Sequence, residues 1–298
     1  MIYSLYIISA IILRKKDSSV KKILALVLAL LMAFCLLTAC GETDTSTDTG
    51  SANTDTSSNN TNSANDTTKA VLTMATNAYF QPYEYYDANQ KIVGIDAEIA
   101  AAIAEKLGME LKIEDMQFNS ILNSVSSGAV DFGMAGLTIT DERKLEVDFT
   151  NTYATGKQVV IVKDGGSVTS IDDLAGKKIG VQLGTTGDAY ATGDYGMNED
   201  ETPNGNVIQY NNGNEAVMAL IGGAVDAVII DNEPAKALVA ANEGNGLSIL
   251  ETEYVYEEYA ICVKKGNSEL LQKLNTAIDE LTQDGTIDRI INKYIPAE

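Results

Sequence analysis

Over residues 70–298 the chain alternates between two hydrophobic rhythms. Short apolar runs at 71–76, 109–113, 130–134, 178–182, 224–230 and 247–250 have the length of buried strands. Between them, residues 95–107, 118–126, 215–221 and 233–241 space their apolar positions three and four apart, as helices with one buried face do, and Gly108 stops the first of these. Two apolar runs, 147–149 and 158–162, flank Thr150-Asn151-Thr152 and are predicted to form one long crossing; residues 257–263 form a second. Helices at 268–281 and 287–294 close the chain. An aromatic loop, Tyr79-Phe80-Gln81-Pro82-Tyr83-Glu84-Tyr85-Tyr86, follows the first strand.

One tetrapeptide occurs twice. Gly128-Ala129-Val130-Asp131 returns as Gly223-Ala224-Val225-Asp226, each copy after a helix-like stretch and before a short apolar run. This predicts an α/β protein of two similar lobes, each a mostly parallel sheet flanked by helices. Two hinge crossings join the lobes, with a ligand cleft between them. The expected boundaries are 70–153 plus 259–298 for lobe 1 and 154–258 for lobe 2. Open α/β sheets hold ligands beyond the carboxyl ends of their strands. Those ends fall at Thr76-Asn77, Gly136-Leu137-Thr138, Gln182-Leu183-Gly184-Thr185-Thr186 and Asp231.

These ends, with Arg143 seven residues beyond Gly136, supply one strong cation, one strong anion, hydroxyls and backbone donors. Such a set suits a zwitterion, with a carboxylate on Arg143 and an ammonium on Asp231. The turn Gly184-Thr185-Thr186-Gly187 at a helix start offers unpaired N–H groups to an anion. Each feature has a plainer alternative: an ion pair of Arg143 with Asp141 or Glu142, a helix cap by Asp231, an ordinary strand-to-helix turn.

Composition narrows the chemistry. The chain has 42 acidic and 21 basic residues, and five of the basic ones lie in residues 1–39. The remainder carries a formal charge of -25, which disfavours nucleic acid and anionic lipid surfaces as partners. There is no His, which excludes His-dependent triads and His-containing metal sites. Of the three cysteines only Cys262 belongs to the folded body, where it reads as a small buried strand residue. No metal and no cofactor is expected.

The N-terminus reads as an export signal. Lys21-Lys22 precede sixteen mostly apolar residues, too few for the roughly 20 of a membrane span, and Leu37-Thr38-Ala39-Cys40 follows the bacterial lipobox pattern. Residues 1–39 thus resemble a lipoprotein signal peptide, which implies lipidation of Cys40. A second apolar stretch before Arg14-Lys15-Lys16 fits this leader poorly, so translation is expected to begin at Val20 and residues 1–19 to be untranslated. Residues 40–69, almost all Ser, Thr, Asn, Asp and Gly, are expected to be a disordered tether with an r.m.s. reach of roughly 30 Å.

Several motifs carry a resemblance over most of residues 70–298: Ala75-Thr76-Asn77 with Pro82-Tyr83-Glu84, Gly94-Ile95-Asp96-Ala97-Glu98-Ile99, Gly136-Leu137-Thr138-Ile139-Thr140 with Glu142-Arg143, Val147-Asp148-Phe149, Gly184-Thr185-Thr186-Gly187, and Asp231. Together they resemble the polar amino-acid-binding proteins of ABC importers, with the type 2 periplasmic-binding-protein fold. The resemblance implies that Arg143 pairs with a ligand α-carboxylate, assisted by Thr138 and Thr186. It implies that Gly136 and Asp231 hold the α-ammonium, that Phe80 and Phe118 sandwich the side chain, and that Asn77 and Gln182 read it. Because both readers are neutral, a neutral polar amino acid such as glutamine is expected. The implied partners are an ABC permease with separate ATPase subunits and a membrane reached through the lipid anchor only, with the chain itself a monomer. The alternatives are a ligand-sensing receptor component and an enzyme akin to prephenate or arogenate dehydratases.

Overall fold

A computed structural model describes residues 69–250 and 256–296. The expected leader, Cys40 and the tether up to residue 68 lie outside the described residues. In chain order the strands are β1 (Val71–Thr76), β2 (Tyr79–Phe80), β3 (Glu84–Tyr86), β4 (Ile92–Val93), β5 (Glu110–Asp115), β6 (Phe132–Gly133), β7 (Val147–Lys163), β8 (Ile179–Gln182), β9 (Val207–Tyr210), β10 (Ala227–Asp231), β11 (Leu247–Leu250) and β12 (Tyr256–Lys264). The helices are α1 (Ile95–Lys106), α2 (Phe118–Ser127), α3 (Asp141–Glu146), α4 (Thr186–Tyr195), α5 (Gly213–Ile221), α6 (Asn232–Ala241), α7 (Ser268–Gln283) and α8 (Thr286–Tyr294). Among them none is long and apolar enough to cross a membrane.

The strands run in the order β5-β1-β6-β12-β7-β10-β8-β9, with β11 also paired to β7. β1 pairs in parallel with β5 and β6, and β8 pairs in parallel with β9 and β10. The 17-residue β7 serves both parallel groups. Its residues 147–157 pair with β12, and Gln158 to Val162 pair with β10. The two apolar runs around Thr150-Asn151-Thr152 are therefore one uninterrupted strand. Separate apolar clusters fill the two halves: one gathers Leu72, Ile99, Phe132 and Leu274 under α1 and α7, and another gathers Val159, Val217, Leu220 and Val228 under α5 and α6.

The repeated tetrapeptide has a structural job. Gly128 at φ 82 and Gly223 at φ 75 take the left-handed conformation that ends a helix cheaply only in glycine. Each following aspartate then latches onto the first strand of its half. Asp131 accepts from the Thr73 N–H at 2.7 Å and donates its own N–H to the Thr73 carbonyl at 3.0 Å. Asp226 accepts from the Lys178 N–H at 2.9 Å and donates to the Lys178 carbonyl at 2.7 Å. Counting forward from these latches, Asn77 corresponds to Gln182 and Gly136 to Asp231. The two halves thus present equivalent strand ends to each other.

Several elements differ from expectation. The strand expected at 130–134 is only Phe132–Gly133, because residues 130 and 131 form the latch and Gly136, at φ 52, turns the chain away. The strand expected from residue 224 begins at Ala227 for the same reason. The polar turn at 140–143 is the start of α3, capped by the Thr140 hydroxyl, which accepts from the Arg143 N–H at 3.2 Å. The aromatic loop folds into a small antiparallel sheet, β2-β3-β4. Cys262 is buried on β12, and burial pushes its thiol up to about 12.

Candidate functional site

Gly136 is held by a buried acid from another element. Asp96, in the first turn of α1, accepts from the Gly136 N–H at 2.8 Å and from the Tyr153 hydroxyl at 2.9 Å. The glycine is required here: its φ is 52, and a Cβ would meet the Phe80 ring at 2.7 Å. Beyond it, residues 137–139 join the edge of β12, with Ala260 donating to the Leu137 carbonyl and Ile139 to the Glu258 carbonyl, each at 3.1 Å.

Arg143 projects from α3 and is only 8% exposed. Its Nη1 donates to the Thr138 carbonyl at 2.7 Å, and its Nη2 reaches the Gly184 carbonyl, in the β8–α4 turn, at 3.1 Å. The Phe118 ring centroid lies 5.5 Å from the guanidinium carbon, within cation–π range. No salt bridge forms between Arg143 and Asp141 or Glu142; Asp141 pairs with Lys144 instead.

From the other half, Thr185 caps α4 by accepting from the Asp188 N–H at 3.1 Å, while its hydroxyl donates to the Gln182 carbonyl at 2.8 Å. Thr186 opens the helix and is buried. Gln182 donates across the cleft to Asn77 Oδ1 at 3.0 Å, and Asn77 donates to the Met116 carbonyl at 2.7 Å. The equivalent strand ends therefore touch, and the cleft is closed.

Asp231 sits at the N-cap position of α6, yet its side chain caps nothing. Its carboxylate accepts from the Tyr259 hydroxyl. Tyr259 can reach it because residue 156 is glycine; a Cβ there would meet the Tyr259 oxygen at 2.1 Å. Burial first, and the charge of Glu257 second, raise the Asp231 carboxyl well above the ordinary carboxylate range.

All ten ligand residues expected from the sequence, Asn77, Phe80, Phe118, Gly136, Thr138, Arg143, Gln182, Thr185, Thr186 and Asp231, border one cavity. Glu84 and Ala135 complete its lining. Phe80 stacks on Tyr83 at 5.7 Å, and Tyr83 meets Tyr259 edge-on at 5.2 Å. Sequence reasoning missed the buried polar groups behind this wall: Asp96, Tyr153, Gln158, Glu257 and Tyr259. One signal was available. In Tyr256-Glu257-Glu258-Tyr259 the strand period of two puts Glu257 and Tyr259 on the same face, and both are buried while Tyr256 and Glu258 are exposed.

Glu84 and Asp96 form a second buried acid pair. Burial, followed by the charge of Asp96, raises Glu84 well above its ordinary range. Burial also raises Asp96, to about 6. A carboxyl raised on folding makes the folded state bind more protons than the unfolded one. Stability is then largest below the unfolded value near 4 and is lost as pH rises through about 6. For Asp96 alone the loss is on the order of 3 kcal/mol. Urea unfolding of the ligand-free protein is expected to show stability falling from mildly acidic to neutral pH, and Asp96→Asn should flatten that slope. A wild-type profile that rises over the same interval would contradict the assignment.

Two α/β halves whose strand ends meet around a buried arginine and a buried aspartate define a solute receptor. Residues 72–297 match the bacterial extracellular solute-binding proteins, family 3, and the chain belongs to that family. It is 31% identical over 278 residues to the arginine-binding extracellular protein ArtP of Bacillus subtilis, covering 91% of this chain and 98% of the relative. Among solved structures it resembles an ancestral arginine-binding protein bound to arginine, with 41% identity, a TM-score of 0.70, and coverage of 76% of this chain and 99% of the other. It resembles an ancestral arginine-binding protein bound to glutamine as well, with 40% identity, a TM-score of 0.70, and coverage of 77% and 99%. The chain is a solute-binding protein of amino-acid ABC import, working in the cell envelope, and not an enzyme.

Proposed function

We propose that the cleft captures an L-amino acid whose side chain ends in a planar, nitrogen-bearing head, with arginine and glutamine as the two candidates. The α-carboxylate lies on Arg143 and the first turn of α4, with Thr138, Thr185 and Thr186 around it. The α-ammonium lies against Asp231 and Gly136. Phe80 and Phe118 flank the side chain, and Asn77 and Gln182 meet its head. The observation that carries this reading is the convergence of all ten residues, drawn from both halves, on one cavity with the buried Arg143 and Asp231 in its wall. The choice of ligand is supported by the two ancestral structures, one bound to arginine and one to glutamine.

Closure follows from charge. Closure buries Asp231 beside a second acid, Glu257, an arrangement that costs free energy. An ammonium supplies the missing charge and favours the closed state, since a ligand shifts a conformational balance only by its differential affinity. The closed body, a monomer held to the membrane by a lipid on Cys40, then delivers its ligand to a permease with separate ATPase subunits.

A thermal-shift screen tests the ligand. At about 100 times Kd, a ligand adds about 2.7 kcal/mol, which for a body of this size raises Tm by roughly 5–10 °C. Arginine and glutamine are expected to produce such shifts, and leucine and aspartate none. The absence of a shift with every common amino acid would overturn the reading.

A further inference from the structure

Glu257 lies outside the cavity wall but directly behind it, on the crossing strand β12. It is 2% exposed. Its Oε2 accepts from the Thr138 hydroxyl at 2.9 Å and from Gln158 Nε2 at 3.2 Å. Thr138 belongs to the Gly136 strand end, and Gln158 pairs with Asp231 in the ladder of β7 and β10. One carboxylate therefore ties a ligand-facing residue of the first half to the hinge strand that carries the second. Its other oxygen, Oε1, is buried without a donor. Asp231 lies close enough to Glu257 for the charge of Glu257 to raise its carboxyl, and two carboxylates have no hydrogen between them until one of them is protonated.

Burying an acid with an unmatched oxygen next to another acid is costly unless a cation arrives. The titratable groups that feel the charge of Glu257 include Asp231, Arg143, Tyr190 and Tyr259. Arg143 is the only cation among them, and its Nη1 and Nη2 are bonded to the carbonyls of Thr138 and Gly184. We propose that Glu257 is a positioning residue for ligand capture: it forms with Asp231 a two-carboxylate pole that the ligand's α-ammonium neutralises, and it transmits that neutralisation to both halves through Thr138 and Gln158. This rests on the amino-acid reading above. In the closed state the raised Asp231 carboxyl holds a proton beside Glu257. The arriving ammonium displaces it to solvent, so the pair goes from one negative charge to two while the ligand adds one positive charge.

Calorimetry of the full chain with arginine and with glutamine, in buffers of different ionisation enthalpy, tests this. Wild type should release protons on binding, and its affinity should fall on the acidic side of neutrality. Glu257→Gln keeps the shape and the bonds to Thr138 and Gln158 but leaves Asp231 as a lone acid. Its affinity should drop by about 10-fold, the difference between a charge-assisted and a neutral partner. Its proton release should shrink, and the acidic limb of its affinity profile should move to lower pH. Glu258→Gln, on the exposed face of the same strand, should match wild type in all three. Unchanged affinity and an unchanged acidic limb in Glu257→Gln would overturn the proposal. Should that variant not fold, wild-type binding without net proton release would overturn it equally. Failure of wild type to bind any amino acid would instead overturn the ligand reading itself.

Discussion

Replacing Arg143 by alanine is expected to weaken ligand binding by about 2–5 kcal/mol, or roughly 30-fold to several thousand-fold, the cost of removing one partner of a buried charge pair. The guanidinium is almost fully buried, directed by the Thr138 and Gly184 carbonyls and faced by the Phe118 ring. Two of its donors are thus spent on orientation, and under the proposed reading the others meet the ligand carboxylate. Lysine would keep the charge but lose the planar fork that grips a carboxylate through two parallel bonds, so Arg143→Lys should recover only part of the loss. Calorimetry is the suitable measurement because the chain has no Trp to report binding. Retention of wild-type affinity by the alanine variant would remove Arg143 from the site.

Asp231→Asn should produce two effects of opposite sign. Binding should weaken by a similar 2–5 kcal/mol, because the ammonium loses its charged partner and meets an amide. The ligand-free protein should become more stable at neutral pH, because the substitution ends the burial of one acid against another. The sign follows from the direction of the shift: an acid whose folded-state proton affinity is raised contributes stability at low pH and withdraws it as pH rises. The stabilisation should therefore vanish in acid, where the wild-type carboxyl is itself protonated. Paired calorimetry and urea titrations at acidic and neutral pH check both halves. A variant that loses binding and ligand-free stability together would make Asp231 a structural residue instead of a ligand contact.

The position of Asp231 was legible from the chain because strand ends in α/β sheets are predictable places. The duplicated Gly-Ala-Val-Asp located one strand in each half, and five residues past each aspartate stood the position that borders the cleft: Gly136 in one half, Asp231 in the other. The same spacing hid Glu257, Asp96 and Tyr153. Each is distant in sequence from the partner that gives it meaning. Asp96 is 40 residues from the Gly136 N–H it holds, and Glu257 is 119 residues from the Thr138 hydroxyl. The short β6 and the late start of β10 were illegible for a related reason. Apolar periodicity marks burial, but the residues at 130–131 and 224–226 are spent on turns and latches, which bury side chains without extending a ladder.

From the chain alone came the two-half α/β plan, its crossings, the opposed cation and anion, and the absence of histidine chemistry. These are local or repeated features, written in periodicity and composition. Only the tertiary structure decided that Asp231 declines its capping role in favour of Tyr259, that Gly156 leaves room for that contact, and that Glu84, Asp96, Asp231 and Glu257 are buried around the cleft. Such facts depend on which distant strands lie side by side, because burial and neighbouring charge are properties of an enclosure that no single segment possesses.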